Sequence, residues 1–306
     1  MPLPLSYPGL RCVLEHLEAV KRAHIIARAP GLQKIDKLIP LCLENLFIDS
    51  DEMTVNKLLI EYEKDGVKFE MNRKNFSRKR FASRKDKMKK LINFFTCGRS
   101  IIHVDWLCWH DSSHPNFLDV DLKFRVNSME ALYSRHVETA HPFIDPRSFP
   151  LKTLITIPET SSFDNQIVQL AETLILHVFT HRTLTVEDLK KLNNKTVVFE
   201  YCISSRVDII PLVRYQIETK KDIGTTFVIS TDGNYFLSEK LREFEQTFGE
   251  YRSDLDGVNE RFIPESSKFL IPINNESRIQ VYAIEDPEEG GQWKIVIKPV
   301  SDILGL

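Results

Sequence analysis

The sequence predicts an α+β protein: a small N-terminal three-helix unit, then an antiparallel strand-rich middle, then an α/β region of strand–helix units closed by a C-terminal β-hairpin. Three observations predict it. Prolines cut the first forty residues into three segments of helical period, and period-two alternation dominates the next hundred. From Leu151 onward, short apolar runs recur with helical patterns between them. The expected domains are 1–40, 41–145 and 146–306, and 306 residues suit two or three. A hydrophobic fraction of 42% and a charged fraction of 27% fit a chain that buries an ordinary core.

In the first helix Ser6 is a good N-cap and Pro8 falls in the first turn, where its missing N–H costs little. Leu10, Val13, Leu14 and Leu17 follow at i, i+3, i+4 and i+7, one apolar stripe on one face. A second helix spans about 19–29, with Val20, Ala23, Ile26 and Ala27 apolar, and Pro30 stops it. A third, about 32–39, carries Leu32, Ile35, Leu38 and Ile39 ahead of Pro40. Helices this short cannot bury all their apolar faces on one another. They need a neighbouring domain or a partner.

The middle reads as strands. Leu41 to Ile48 is one; Leu58, Ile60 and Tyr62 alternate with charge, Asp65-Gly66 turns, and Val67, Phe69 and Met71 alternate again, a hairpin signal. Leu118, Val120, Leu122, Phe124 and Val126 predict a half-buried antiparallel strand. Between these lies a basic loop, 73–90, with ten Lys or Arg and one acid, Asp86. Its +9 within a total of −2 leaves −11 on the remainder, so this is a basic island in an acidic chain. Arg73, Lys74, Arg78, Lys79, Arg80, Arg84 and Lys85, with Phe76 and Phe81 among them, form a candidate nucleic-acid or localisation patch. Such runs are more often solvated faces, and no nucleic-acid fold motif surrounds this one, so nucleic acid is the lesser expectation.

In the last region, strands are predicted at Leu154–Ile157, Leu174–Phe179, Thr196–Tyr201 and Thr225–Ser230, with starts 20, 22 and 29 residues apart. Asp164 is expected to cap a helix through Ile167, Leu170, Ala171 and Leu174; Thr185 and Asp188 form a capping box; another helix spans about 208–221. The spacing fits either an irregular leucine-rich-repeat-like solenoid or an ordinary open α/β sheet. After a helix at Ser238–Phe248, Ile279, Val281 and Ala283 face Trp293, Ile295 and Ile297 across Pro287–Gly291 in the closing hairpin.

Several chemistries are excluded by spacing. His103, Cys108, His110 and His114, with Asp105 and Asp111, match no zinc pattern, and Trp106 and Trp109 among them suggest a packed strand. His177 and His181 lack the Glu that follows the first His of a zinc-protease helix. In Asp254-Leu255-Asp256-Gly257 the glycine comes too early for a calcium loop. Nucleophile-elbow, phosphate-loop and dinucleotide signatures do not occur. The expectation is a non-enzyme without metal or cofactor. Cys12, Cys42, Cys97, Cys108 and Cys202 are isolated and odd in number, fitting a reducing compartment, and the N-terminus has no signal-peptide pattern. Cytoplasm or nucleus follows, with no membrane.

The order Leu3-Pro4, Pro8, Leu10, Val13-Leu14, Leu17, Arg22 and Arg28 resembles an F-box, the motif by which adaptor subunits of cullin-type ubiquitin ligases hold the Skp1 linker protein. The opening segment and the stretch Gly66 to Phe76 resemble a nematode-expanded family whose members begin with an F-box-like segment and continue into a domain of unknown role. The C-terminal region more loosely resembles F-box-associated domains. Lys37-Leu38-Ile39 stands where an F-box usually closes on a tryptophan. The resemblance implies a protein-interaction adaptor, the target-recognition subunit of a Skp1–cullin–F-box ligase. Leu3, Pro4, Leu10, Val13, Leu14 and Leu17 would meet a Skp1-like adaptor protein, and a further, unnamed target protein would bind elsewhere. The rivals are a nuclear nucleic-acid-associated protein working through the basic loop, or a family member whose decayed F-box helices pack on its own sheet.

Overall fold

Pro8, Pro30 and Pro40 divide the start of the computed structural model as their chemistry requires: α1 spans Tyr7–His16, α2 Ala19–Arg28 and α3 Gln33–Lys37. The structure describes residues 7–63, 66–79, 84–96, 98–112, 118, 121–179, 182–201, 207–219, 224–231, 233–285 and 292–301. The chain divides into two units, 1–151 and 152–306. The three helices, expected as a domain of their own, are part of the first unit.

Their attachment is built from caps and buried charge. Glu18 caps α2, accepting from the N–H groups of Val20 and Lys21, and also accepts Asn56 Nδ2 at 2.8 Å from the adjoining sheet. Asp36 of α3 is buried between Arg22 of α2 and Arg99, which sits just before the sixth strand.

The strands of the first unit are β1 (Cys42–Ile48), β2 (Glu52–Val55), β3 (Leu58–Glu63), β4 (Gly66–Met71), β5 (Lys74–Lys79), β6 (Ile101–Trp109) and β7 (Lys123–Glu130), in the spatial order β7-β6-β1-β2-β3-β4-β5. From β1 to β5 the pairing is antiparallel, including the predicted β3–β4 hairpin. The run predicted over Leu118–Val126 is corrected in two ways. Its strand starts at Lys123, and it lies parallel to β6, which in turn lies parallel to β1. Leu118 and Leu122 are buried outside any strand, so their alternation reports burial on the crossover.

Nor is the basic segment a loop. Asn72 and Arg73, both at positive φ near 53° and 63°, make the tight turn from β4 into β5. After it comes α4, Arg84–Thr96, whose Ile92 and Phe95 are buried beside Leu43, Ile102 and Phe124. Ile92 and Phe95, at helical spacing, face that apolar core, although the helix opens on a sequence that is almost all cationic.

The second unit holds β8 (Thr153–Thr156), β9 (Thr173–His177), β10 (Thr196–Glu200), β11 (Thr226–Thr231), β12 (Phe269–Pro272), β13 (Ser277–Glu285) and β14 (Trp293–Ser301). β8 to β11 pair in chain order, all parallel, the order a solenoid uses. Their register aligns Thr153, Thr173, Thr196 and Thr226 in one rung. The next rung, Leu154, Leu174, Val197 and Phe227, is fully buried. Between the strands come α6 (Gln166–Leu170), α7 (Val186–Leu189) and α8 (Ile209–Thr219), with α5 (Ser134–Ala140) back in the first unit and α9 (Asn234–Phe248) ahead of the last strands. Asn165, rather than Asp164, caps α6, its side chain accepting the N–H of Ile167 at 2.9 Å. The Thr185–Asp188 capping box starts α7 as predicted. The β13–β14 hairpin joins the sheet through β14, antiparallel to β11.

Candidate interaction surfaces

The predicted contact stripe of α1 divides once the helices pack. Leu14 is 1% exposed and forms a small core with Ile26 and Ile39, flanked by Leu10, Leu32 and Ile35. As a contact residue it is therefore corrected: the i+4 side of α1 faces the other two helices, and Leu14 is an internal packing residue. Leu10 and Leu17 are half-buried. Val13 points outward at 47% exposure, and Leu3 and Pro4 lie outside the described residues. Ile25 of α2, 41% exposed, and Leu38 at the end of α3, 69% exposed, also face solvent. The sequence reading missed Ile25 because in the Ile25-Ile26 pair only one residue can take the inner face.

The basic patch is distributed over two elements. Arg73 and Lys74 are exposed at the β4–β5 turn, Arg78 and Lys79 belong to β5, and Arg84 and Lys85 begin α4. Arg80 lies outside the described residues.

The histidine-rich stretch is β6 and its exit. Trp109 is fully buried, its indole N–H donating to Asp111 O and to Thr139 Oγ1. His110 lies 3.4 Å from Glu130 and against Phe47 and His136. Burial first, and the neighbouring Glu130 second, push the Cys108 thiol up to about 11. On the same sheet, Arg147 and Arg125 hold Asp145 well below the usual carboxylate range, and burial together with Arg125 lowers the pKa of His103. His114 and His181 lie outside the described residues, and among the described residues no group of three His, Cys, Asp or Glu side chains is arranged to hold a metal.

The parallel strands of the second unit have two unlike faces. One is sealed: Leu154, Leu174, Val197 and Phe227, then Leu176, Phe199 and Ile229, are buried, and on the same face Phe244 of α9 packs on Phe269. The other face, over β8 to β11, is only half-buried and carries the threonine rung, then Ile155, Ile175, Val198 and Val228, then His177 and Glu200. Toward β13 and β14 this second face is covered by 252–268, where Leu255 and Phe262 pack on Tyr282 and Val296. At the carboxyl ends of β9 and β10 the sheet presents Phe179, 48% exposed, and Tyr201, 54% exposed, both touching the His177 ring. His177 Nε2 lies 3.1 Å from Glu200 Oε2. Sequence reading saw Phe179 and Tyr201 only as the ends of strands. The signal available was an aromatic residue placed just where each apolar run stops.

A family profile described as a domain of unknown function (DUF3557) matches residues 83–233. That range holds β6 to β11, the parallel strands other than β1. No curated protein and no solved structure matches the chain. Among the described residues no helix is long and apolar enough to cross a membrane.

Proposed function

We propose that the chain is a non-enzymatic adaptor of F-box type, the target-recognition subunit of a Skp1–cullin–F-box ubiquitin ligase in the cytoplasm or nucleus. The N-terminal helices hold the Skp1-like linker, and the parallel sheet of the second unit presents the target. The observation that carries this reading is the outward placement of Val13 on α1, Ile25 on α2 and Leu38 just after α3, although those helices have an internal core of their own. A segment whose only task was to close the chain's own sheet would turn such residues inward, since burying each side chain is worth roughly 1.5–3 kcal/mol. The half-buried sheet face supplies the second surface an adaptor needs. Holding target and ubiquitin-charged enzyme on one scaffold raises their effective concentration without chemistry in this chain.

The test is co-expression of the full chain with a Skp1-like linker protein, followed by size-exclusion chromatography at low and at high salt. Adaptor binding through apolar helices gives a one-to-one complex that survives salt. Free linker in both runs rejects the reading. Association with nucleic acid that disappears as salt rises would favour the basic segment instead.

A further inference from the structure

We infer that the carboxyl edge of β9 and β10 receives a cationic side chain, arginine or lysine, of a partner protein, with Phe179 and Tyr201 as ring faces and Glu200 as the counter-charge. This rests on the adaptor reading and names the chemistry of its target.

Three rings meet there. The His177 and Tyr201 centroids are 5.0 Å apart and nearly perpendicular, and Phe179 lies 6.0 Å from His177 and 6.1 Å from Tyr201. Such mutual packing fixes the rings while leaving about half of Phe179 and Tyr201 open to solvent. Tyr201 is held at φ 56°, a left-handed backbone that bulky side chains avoid, and its ring lies against His177.

The electrostatics select the ligand. Glu200 is the one formal charge on the half-buried face of β8 to β11, and among the described residues His177 meets it at Oε2. A ring face is the negative end of an aromatic quadrupole, so two half-exposed rings beside one carboxylate attract a cation and repel an anion. The flat, delocalised guanidinium of arginine suits both at once. A related order occurs in the first unit, where His110 just after β6 lies 3.4 Å from Glu130 of β7 and the exposed Tyr133 that follows packs on His136. A histidine at one strand end, a glutamate on the next strand and an exposed tyrosine after it thus occur twice in this chain.

The experiment uses the full-length protein and a fluorescein-labelled peptide with one central arginine between leucines, against the same peptide carrying citrulline, its neutral isostere. Fluorescence anisotropy is expected to show the arginine peptide binding about ten-fold more tightly. Glu200→Gln and Tyr201→Ala are expected to erase that preference, and Tyr201→Phe to keep it. Circular dichroism checks that each variant folds. Should Tyr201→Ala fail to fold, Glu200→Gln, a near-isosteric change at a half-exposed position, decides alone. Equal affinity for the two peptides, binding of neither, or a preference that survives in Glu200→Gln overturns the inference. Linker capture is unaffected by either substitution, so failure here is distinguishable from failure of the adaptor reading.

Discussion

Asp36 and Arg22 meet at 2.5 Å, carboxylate oxygen to guanidinium Nε, with both side chains buried. Arg22 also donates to the carbonyl oxygens of Asp36, Ile39 and Pro40, and Arg99 reaches the other carboxylate oxygen at 2.7 Å. One carboxylate therefore ties α2, α3 and the entry to β6. Replacing it leaves two guanidinium groups buried without their counter-charge. Asp36→Asn is expected to destabilise the protein by about 3–5 kcal/mol, read from urea unfolding, and the helices are expected to melt with the sheet in one transition. A separate early transition for the helices would show that they are held on loosely.

Asn194 plays the corresponding part in the second unit. Buried just before β10, its Nδ2 donates to the carbonyls of Val168 and Ala171, at 2.9 and 2.7 Å, at the end of α6. It thus joins one strand–helix step to the next. Asn194→Ala strands both carbonyls and is expected to cost roughly 2–4 kcal/mol in the same unfolding assay.

Acid should loosen the first unit through Asp145. Its carboxyl is depressed by the hydrogen bonds of Arg147 and then Arg125, so the stability it contributes is present above the unfolded value near 4 and lost as pH falls from there toward its folded value. The unfolding midpoints of the protein and of Asp145→Asn should differ most at about pH 7, and the gap should shrink steadily as pH falls below about 4. A constant gap would mean that the arginines do not bind the ionised form preferentially.

Thiol reactivity should separate the cysteines. Cys12 and Cys42 are exposed, whereas the Cys108 pKa of about 11 keeps that thiol protonated at neutral pH. Peptide mapping after brief alkylation is expected to find Cys12 and Cys42 modified well before Cys108. Early modification of Cys108 would contradict the burial seen around it.

What the sequence disclosed follows from where local chemistry decides structure. The prolines that bound the first helices, the β3–β4 pairing of Tyr62 with Val67, and the Thr185–Asp188 capping box each depend on residues close in sequence, and all were legible. Pattern alone did not disclose strand direction. The residues of β7 alternate whether the neighbour runs parallel or antiparallel, and only the crossover from β6 settles it. Helix α4 was hidden because ten cations in eighteen residues outweigh Ile92 and Phe95 in any reading of composition. The threonine rung of β8 to β11 was hidden because its members lie 20, 23 and 30 residues apart, an uneven period that only the register aligns. The candidate surfaces were half legible. The apolar stripe of α1 was legible, but Leu14 and Val13 are neighbours in sequence, and which of them faces inward depends on where α2 and α3 sit.

Val13 and Ile25, both exposed, supply the most direct test. Isothermal titration of a Skp1-like linker protein into the full-length chain, into Val13→Asp and into Ile25→Asp measures whether the outward face of the first helices is a binding surface. The adaptor account predicts binding by the parent and a loss of about 2 kcal/mol or more in each variant, with unfolding midpoints unchanged because both positions are exposed. Undiminished binding by both variants, or none by the parent, would contradict it.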